Sequence, residues 1–380
     1  MNTSCKFLDG GYTVNTHGNV KPCCMLINTN EDNLPYWEVE DHQQSDFWKS
    51  LKNNLDSGIK DKRCYRCWNA EDVDNYSLRM GGDQFFSQEW VGPPTPWSYL
   101  DLKLGNLCNL QCRMCNSSSS SQIVKEIQKN PDENWPERTR KNYEYTIKRD
   151  TNWYNNPKFY DQIKENAAKV RVLKFTGGEP TLISHVHELI QWFVDSGHAE
   201  HTEVRITTNG TNTKPKLFEN MQKFKDAKLR VSCDGVGKVY EYIRYPFKWK
   251  QFEKNMKVLK TQFDIPVIYA FTLIPYNLFD VINFSKWFEI NKKEGQHWQL
   301  TPAVNPKFMD VRNLSEDIIQ KAIKYLRKSD DNNIKYAIKF LFSKPQLSSY
   351  NDSNKELINY TKILDRLRNQ DIKNIMEDLV

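Results

Sequence analysis

Trp97-Ser-Tyr-Leu-Asp-Leu-Lys-Leu-Gly-Asn-Leu-Cys108-Asn109-Leu110-Gln111-Cys112-Arg113-Met114-Cys115 is the stretch whose reading decides the fold. A strand-like run, Tyr99 to Leu104, leads into a loop with cysteines at positions i, i+4 and i+7, and a Ser-rich helix start, Asn116 to Ser121, follows. A tight loop with that spacing can aim three thiolates at one point. Zinc normally takes a fourth ligand, whereas an iron–sulfur cube held by three thiolates keeps one iron open. Free cysteines seldom gather on one turn without a metal or redox reason.

Further along, Val172-Leu-Lys-Phe-Thr-Gly-Gly-Glu-Pro180 reads as a second strand that ends in a Gly-Gly-Glu-Pro turn. Together the loop and the turn resemble the radical S-adenosylmethionine (radical SAM) superfamily. The resemblance implies an α/β fold built on a partial (β/α)6 barrel, a 4Fe–4S cluster on Cys108, Cys112 and Cys115, and SAM bound to the open iron.

The composition is ordinary for a soluble protein. The chain has 380 residues, 38% hydrophobic and 27% charged, enough for one large domain and an appendage. No run approaches the roughly 18 apolar residues of a membrane span. The first residues lack the plan of a secretory signal, so the expected location is cytoplasmic. Nine cysteines in such a chain favour metal ligation over disulfides. The net charge of +6 is spread among acidic residues, which leaves membrane and nucleic-acid partners unsupported.

Residues 1–96 carry a second cysteine constellation. Gly10-Gly11 and Asn15-Thr-His-Gly-Asn19 flank the short runs Tyr12 to Val14 and Val20-Lys21, the signature of a hairpin. Cys5 precedes it, Cys23 and Cys24 follow it, and Cys64-Tyr-Arg-Cys67 has the spacing of a metal knuckle behind a helix-like piece at Ser45 to Leu55. By residue chemistry alone, four such thiolates suit tetrahedral zinc or a cube. Cys5, Gly18, Cys23, Cys64 and Cys67 resemble the twitch domain, the half-sized relative of the SPASM domain. That resemblance implies an auxiliary 4Fe–4S cluster on Cys5, Cys23, Cys64 and Cys67, with Cys24 either spare or in place of Cys23. In the familiar members this unit follows the barrel, whereas here its cysteines precede it. Val91-Gly-Pro-Pro-Thr-Pro96 reads as an extended linker.

From Trp97 to about Asn305, strands are expected at 99–104, 170–176, 203–208, 229–233, 267–273 and 297–301, alternating with helical stretches. An insertion near 130–160 carries Trp135 and Trp153, read as surface packing. In parallel barrels chemistry gathers at the carboxyl ends of strands, and here these ends carry Gly177-Gly178-Glu179-Pro180, Thr207-Thr208-Asn209-Gly210 and Ser232-Cys233-Asp234-Gly235. The resemblance implies that Gly177, Gly178 and Glu179 receive the SAM ammonium. It also implies that Thr208 and Ser232 touch its ribose or carboxylate and that Arg244 neutralises the carboxylate. Met114 stands where the family more often has an aromatic residue. Cys233 reads as a small apolar residue of a buried strand.

Residues 306–380 read as helices at 315–326, 334–342 and 355–379, with Pro345 breaking the run. The resemblance implies an enzyme that cleaves SAM reductively to a 5′-deoxyadenosyl radical and abstracts hydrogen from a peptide or small metabolite. It would be served by an electron donor such as a flavodoxin or ferredoxin. The competing expectation is a non-catalytic iron–sulfur or zinc scaffold.

Overall fold

The computed structural model describes residues 3–26, 38–72, 76–87, 93–343 and 350–376. Eight strands form a mostly parallel α/β sheet: β1 (Gly11–Val14), β2 (Val20–Lys21), β3 (Tyr99–Leu102), β4 (Val172–Phe175), β5 (Glu203–Thr208), β6 (Asp226–Ser232), β7 (Val267–Leu273) and β8 (His297–Pro302), in the order β2-β1-β3-β4-β5-β6-β7-β8. All six strands expected between residues 97 and 305 are present as β3 to β8. β3 stops short of Leu104 because Gly105, at φ +68°, turns the chain. Helices fill the crossovers, among them Ser121–Lys129, Ser184–Asp195, Pro215–Met221, Trp249–Gln262 and Val281–Asn291. Among the described residues no helix is long and apolar enough to cross a membrane.

The chain forms two compact units. The first comprises Met1–Asn106, Arg149–Ile206 and Lys216–Ala227. Here β1 and β2 form the expected hairpin, Thr13 opposite Lys21, and Gly18 takes φ +80° at its turn, a conformation that glycine adopts without a Cβ penalty. Asn15 Oδ1 accepts from the backbone N–H of His17 and Asn19, which fixes that turn. One pairing was not legible: β1 also runs parallel to β3, with Gly11 opposite Tyr99 and Val14 opposite Leu102. β3 is therefore flanked on both edges, and all four of its residues are buried. Phe7, Tyr99 and Val172 centre a core joined by Leu78, Phe85 and Phe86, with edge-to-face ring contacts from Phe7 to Tyr99 and Phe86. Trp153 is buried against Phe159 rather than lying on the surface.

The second unit comprises Leu107–Lys148, Thr207–Pro215 and Lys228–Val380. β6, β7 and β8 pair in parallel, with Leu229 opposite Val267 and Tyr269 opposite Trp298. Tyr240, Trp249, Phe252 and Trp287 make an aromatic core beside them. Trp135 is buried in this unit as well, with its indole N–H donating to Asn130 O. The expected helices appear at Glu316–Leu326 and Asn332–Phe342, the first capped by the Ser315 side chain. The last expected helix is shifted, running Tyr350–Arg368. Asn369 takes φ +50° and Gln370 N–H turns back onto Asp365 O at 2.9 Å, which terminates it. Val91, Gly92, Pro345 and residues 377–380 lie outside the described residues.

Candidate functional site

The three-cysteine loop lies in the second unit and is held from several sides. Ser120 caps the following helix through Ile123 N–H, and its hydroxyl donates to Leu110 O at 2.6 Å. Ser121 Oγ exchanges hydrogen bonds with the Cys108 backbone. Gln111 N–H and Arg113 N–H donate to Tyr245 O and Ile243 O, zipping the loop to the residues around Arg244. Cys108, Leu110 and Cys112 are buried together, with Met114, Cys115 and Phe247 packed against them.

Donors converge on the sulfurs. Leu110 N–H approaches Cys108 Sγ at 3.5 Å, and Asn209 Nδ2 lies 3.9 Å from the same sulfur while donating to Asn109 Oδ1 at 2.9 Å. Arg244 Nη1 donates to Cys112 Sγ at 3.6 Å. The Cys115 thiol donating to Cys112, aided by the Arg244 and Arg368 guanidiniums against the cost of burial, holds the Cys112 thiol below its usual value, while the same hydrogen bond and burial push the Cys115 thiol up. Three thiols among N–H donors and cations are the chemistry that thiolate ligation of iron requires, so the donor set fits a cluster. Among the described residues no three His, Cys, Asp or Glu side chains converge on a single metal ion. The thiolates of a four-iron cube bind separate irons and need no such single point.

Arg244 follows the short helix Gly237–Ile243 and is nearly buried. Its Nε donates to Asp234 Oδ2 at 2.6 Å, and Thr272 N–H donates to Asp234 Oδ1 at 2.6 Å. It is a buried, paired cation rather than a surface salt bridge. Thr208 is buried and its hydroxyl accepts from Gly210 N–H at 3.1 Å, while Ser232 ends β6 half-buried opposite Ala270. Cys233 is fully buried, and burial pushes its thiol up, as fits a small core residue. Asn209 and Asp234 are the site residues that sequence reading passed over. Both lie in strand-end turns, so the Asn-Gly and Asp-Gly signals marked the place without marking the residue.

Beside Asp234, Asp280 Oδ2 accepts from Val236 N–H at 2.8 Å and Oδ1 from Asn283 Nδ2 at 2.9 Å. Burial raises its carboxyl from 3.8 to about 6, against the pull of those two donors. The folded state thus holds this proton more tightly than the unfolded chain. The stabilisation is complete below about pH 4 and is lost as pH rises through about 6, a change of about 3 kcal/mol. Asp280→Asn is expected to close the gap to wild type, or overtake it, by that amount between pH 4 and 7 in urea unfolding. A pH-independent gap would contradict the assignment.

The Gly-Gly-Glu-Pro turn lies in the first unit. Gly177 takes φ +113°, and a Cβ there would meet Lys103 and the Gly105 carbonyl at 3.2–3.3 Å. Glu179 is fully buried, its Oε1 accepting from Thr181 N–H at 3.2 Å and Thr181 Oγ1 at 2.6 Å. Just before the turn, Lys174 Nζ pairs with buried Asp101 at 2.7 Å, and Thr176 Oγ1 donates to the same carboxylate at 3.1 Å. Burial would raise the Asp101 carboxyl, but Lys174 and Lys103 outweigh it and hold it below its usual value. Neither Asp101 nor Lys174 stood out in the sequence.

The same unit links five cysteines through their electrostatics, each acting on or acted on by at least one other. Burial, then the Cys24, Cys5 and Cys67 sulfurs, push the Cys23 thiol well up; burial, then Cys5 and Cys67, push Cys64 up to about 12. Cys67 is raised chiefly by burial, with Cys24 among its neighbours. The Cys5 end and the knuckle are braced by Arg79, which donates to Ser4 O at 3.0 Å and to both Glu71 oxygens. Asp61 caps the knuckle at Arg63 N–H, 2.8 Å, and receives Trp68 Nε1 on its carbonyl at 2.9 Å.

Residues 102–288 match the family described as the Radical SAM superfamily, so the chain contains a radical SAM domain. That domain implies a 4Fe–4S cluster and SAM as cofactors. Over 182 residues the chain is 25% identical to the sporulation killing factor maturation protein SkfB of Bacillus subtilis (strain 168), covering 47% of this chain and 37% of that protein. The match thus spans little more than a third of that relative. Among solved structures, native anSMEcpe with bound AdoMet and Cp18Cys peptide is 14% identical, with a TM-score of 0.39 over 60% of this chain and 57% of that one. SuiB of Streptococcus suis bound to S-adenosylmethionine is 13% identical, with a TM-score of 0.37 over 76% of this chain and 59% of that one.

Proposed function

We propose that this protein is a radical SAM enzyme whose Cys108, Cys112 and Cys115 hold the SAM-binding cluster, with an auxiliary 4Fe–4S cluster on Cys5, Cys23, Cys64 and Cys67. The observation that carries the reading is the loop itself: three cysteines at the radical SAM spacing, inside the matched domain, with Arg244 and Asn209 directed at two of the sulfurs. When bound, the cluster and SAM would supply one-electron reductive cleavage of the SAM sulfonium, with the electron from the external donor, and hydrogen-atom abstraction from the substrate. The protein's residues position and insulate that chemistry. Leu110 N–H, Asn209 and Arg244 offset negative charge on the thiolates, and Asp234 keeps the Arg244 guanidinium in place. By the resemblance, Gly177, Gly178 and Glu179 would receive the SAM ammonium, the two glycines adding no side-chain bulk, and Thr208, Ser232 and Arg244 would give its remaining polar contacts.

In this reading residues 1–96 form the auxiliary-cluster unit with its linker, 97–305 the radical SAM region and 306–380 a helical region. The electron comes from a small cytoplasmic carrier such as a flavodoxin or ferredoxin. The substrate is a peptide or small metabolite, and the maturation role in the Bacillus relative's name favours a peptide. Anaerobically reconstituted protein given SAM and dithionite is expected to release 5′-deoxyadenosine. Mass spectrometry of peptides and metabolites from cells with active or cluster-dead protein then identifies the product. Stoichiometric iron without SAM cleavage would instead support the scaffold reading.

A further inference from the structure

The helix Tyr350–Arg368 reaches the three-cysteine loop through buried polar contacts that no radical SAM motif accounts for. Arg113, between Cys112 and Cys115, is fully buried. Its Nε donates to Tyr242 O at 3.0 Å, and its Nη2 donates to Asp365 Oδ1 at 2.5 Å and to Gln370 Oε1 at 2.9 Å. The guanidinium lies 3.6 Å from the Tyr242 ring centroid. Asp365 is held in turn by Tyr242 OH at 2.8 Å and by Ile372 N–H at 2.9 Å. Tyr360 OH donates to the Arg113 carbonyl at 3.1 Å, so one helix grips both the side chain and the backbone of this loop residue. A few residues on, Arg368 makes a two-point pair with Glu126 at 2.8 and 2.7 Å, on the helix that leaves the loop.

We propose that the helix Tyr350–Arg368 is a clamp on the three-cysteine loop, and that Asp365 is a positioning residue which sets the geometry and charge around Cys112 and Cys115. A buried guanidinium on the residue next to one sulfur ligand and two residues from another is an electrostatic element as well as a strut. Paired with Asp365 it contributes no net charge to the loop. Unpaired, it would stabilise added negative charge there and favour the reduced form of any centre bound to the loop. The clamp rests on reading the loop as a cluster site only for its effect on redox; its hold on the backbone is a property of the protein alone.

Two measurements on the full chain separate these levels. Hydrogen exchange in the iron-free protein is expected to show the Arg113 and Cys115 amides exchanging at least tenfold faster in Asp365→Asn, with β7 amides unchanged. In reconstituted protein the same variant, retaining its iron, is expected to show a higher midpoint potential for the loop cluster by electron paramagnetic resonance titration. A merely structural contact would lower the melting temperature without moving either reading selectively. Unchanged loop exchange overturns the clamp, and unchanged potential overturns its electrostatic role. Removing one partner of a buried pair can prevent folding, whereas replacing both with apolar residues of similar size is tolerated. Arg113→Met combined with Asp365→Leu is therefore the second variant. It should show fast loop exchange with a near-wild-type potential, and wild-type exchange in it also overturns the clamp. If wild-type protein binds no cluster at the loop, the functional reading falls and the exchange result still decides the clamp.

Discussion

Replacing Cys108, Cys112 and Cys115 together with alanine is expected to abolish SAM cleavage and to remove about four of about eight irons from reconstituted protein. The loss should be complete because the loop offers no substitute ligand: Asn109, Leu110, Gln111, Arg113 and Met114 carry no thiol, imidazole or carboxylate. Folding should survive, since Ser120 and Ser121 hold the loop from the next helix, and Gln111 and Arg113 pair with Tyr245 and Ile243 through backbone alone. Iron counting, 5′-deoxyadenosine formation and far-ultraviolet circular dichroism together read the three expectations. A folded triple variant that still cleaves SAM would remove the loop from the chemistry.

What the sequence made legible follows physical range. The three-cysteine loop and the Gly-Gly-Glu-Pro turn are local signals, because spacing within a turn dictates where side chains point. β3 to β8 were legible for the same reason, each being a short apolar run bounded by turn residues. Partners distant in sequence were not. Nothing in Gly11 to Val14 says that it pairs with Tyr99 to Leu102 as well as with Val20-Lys21, since one strand's edges are indistinguishable from its composition. Asp234 and Asn209 stood in turns that read as generic, and only the fold brings Arg244 and Cys108 to them. Arg113 carries no local signal of its own, and its burial follows from Asp365 and Tyr242, which lie far along the chain. The helix expected to continue to 379 was misjudged at one residue, because its apolar spacing persists past Asn369 while the backbone there turns left-handed.

Cys64→Ala combined with Cys67→Ala is expected to remove the other four or so irons and to spare most SAM cleavage that is uncoupled from substrate turnover. The two cysteines sit on one knuckle, capped by Asp61 and tied through Glu71 and Arg79 to the backbone beside Cys5, so their loss deprives Cys5 and Cys23 of partners. Turnover of the physiological substrate should fail, since whatever electron path or pocket wall the auxiliary cluster supplies goes with it. The five-thiol neighbourhood makes Cys24 the informative control. Cys24 lies within electrostatic reach of Cys23, Cys67 and Lys174, while Cys5 acts on both Cys23 and Cys64. With Cys5, Cys23, Cys64 and Cys67 as ligands, Cys24→Ala should keep about eight irons and an unchanged auxiliary signal, while Cys23→Ala should lose the signal. The reverse pattern would move the ligand by one residue and leave the cluster standing. Stoichiometric zinc in place of the lost iron would make the four thiolates a structural knuckle, and the auxiliary cluster would have to be abandoned.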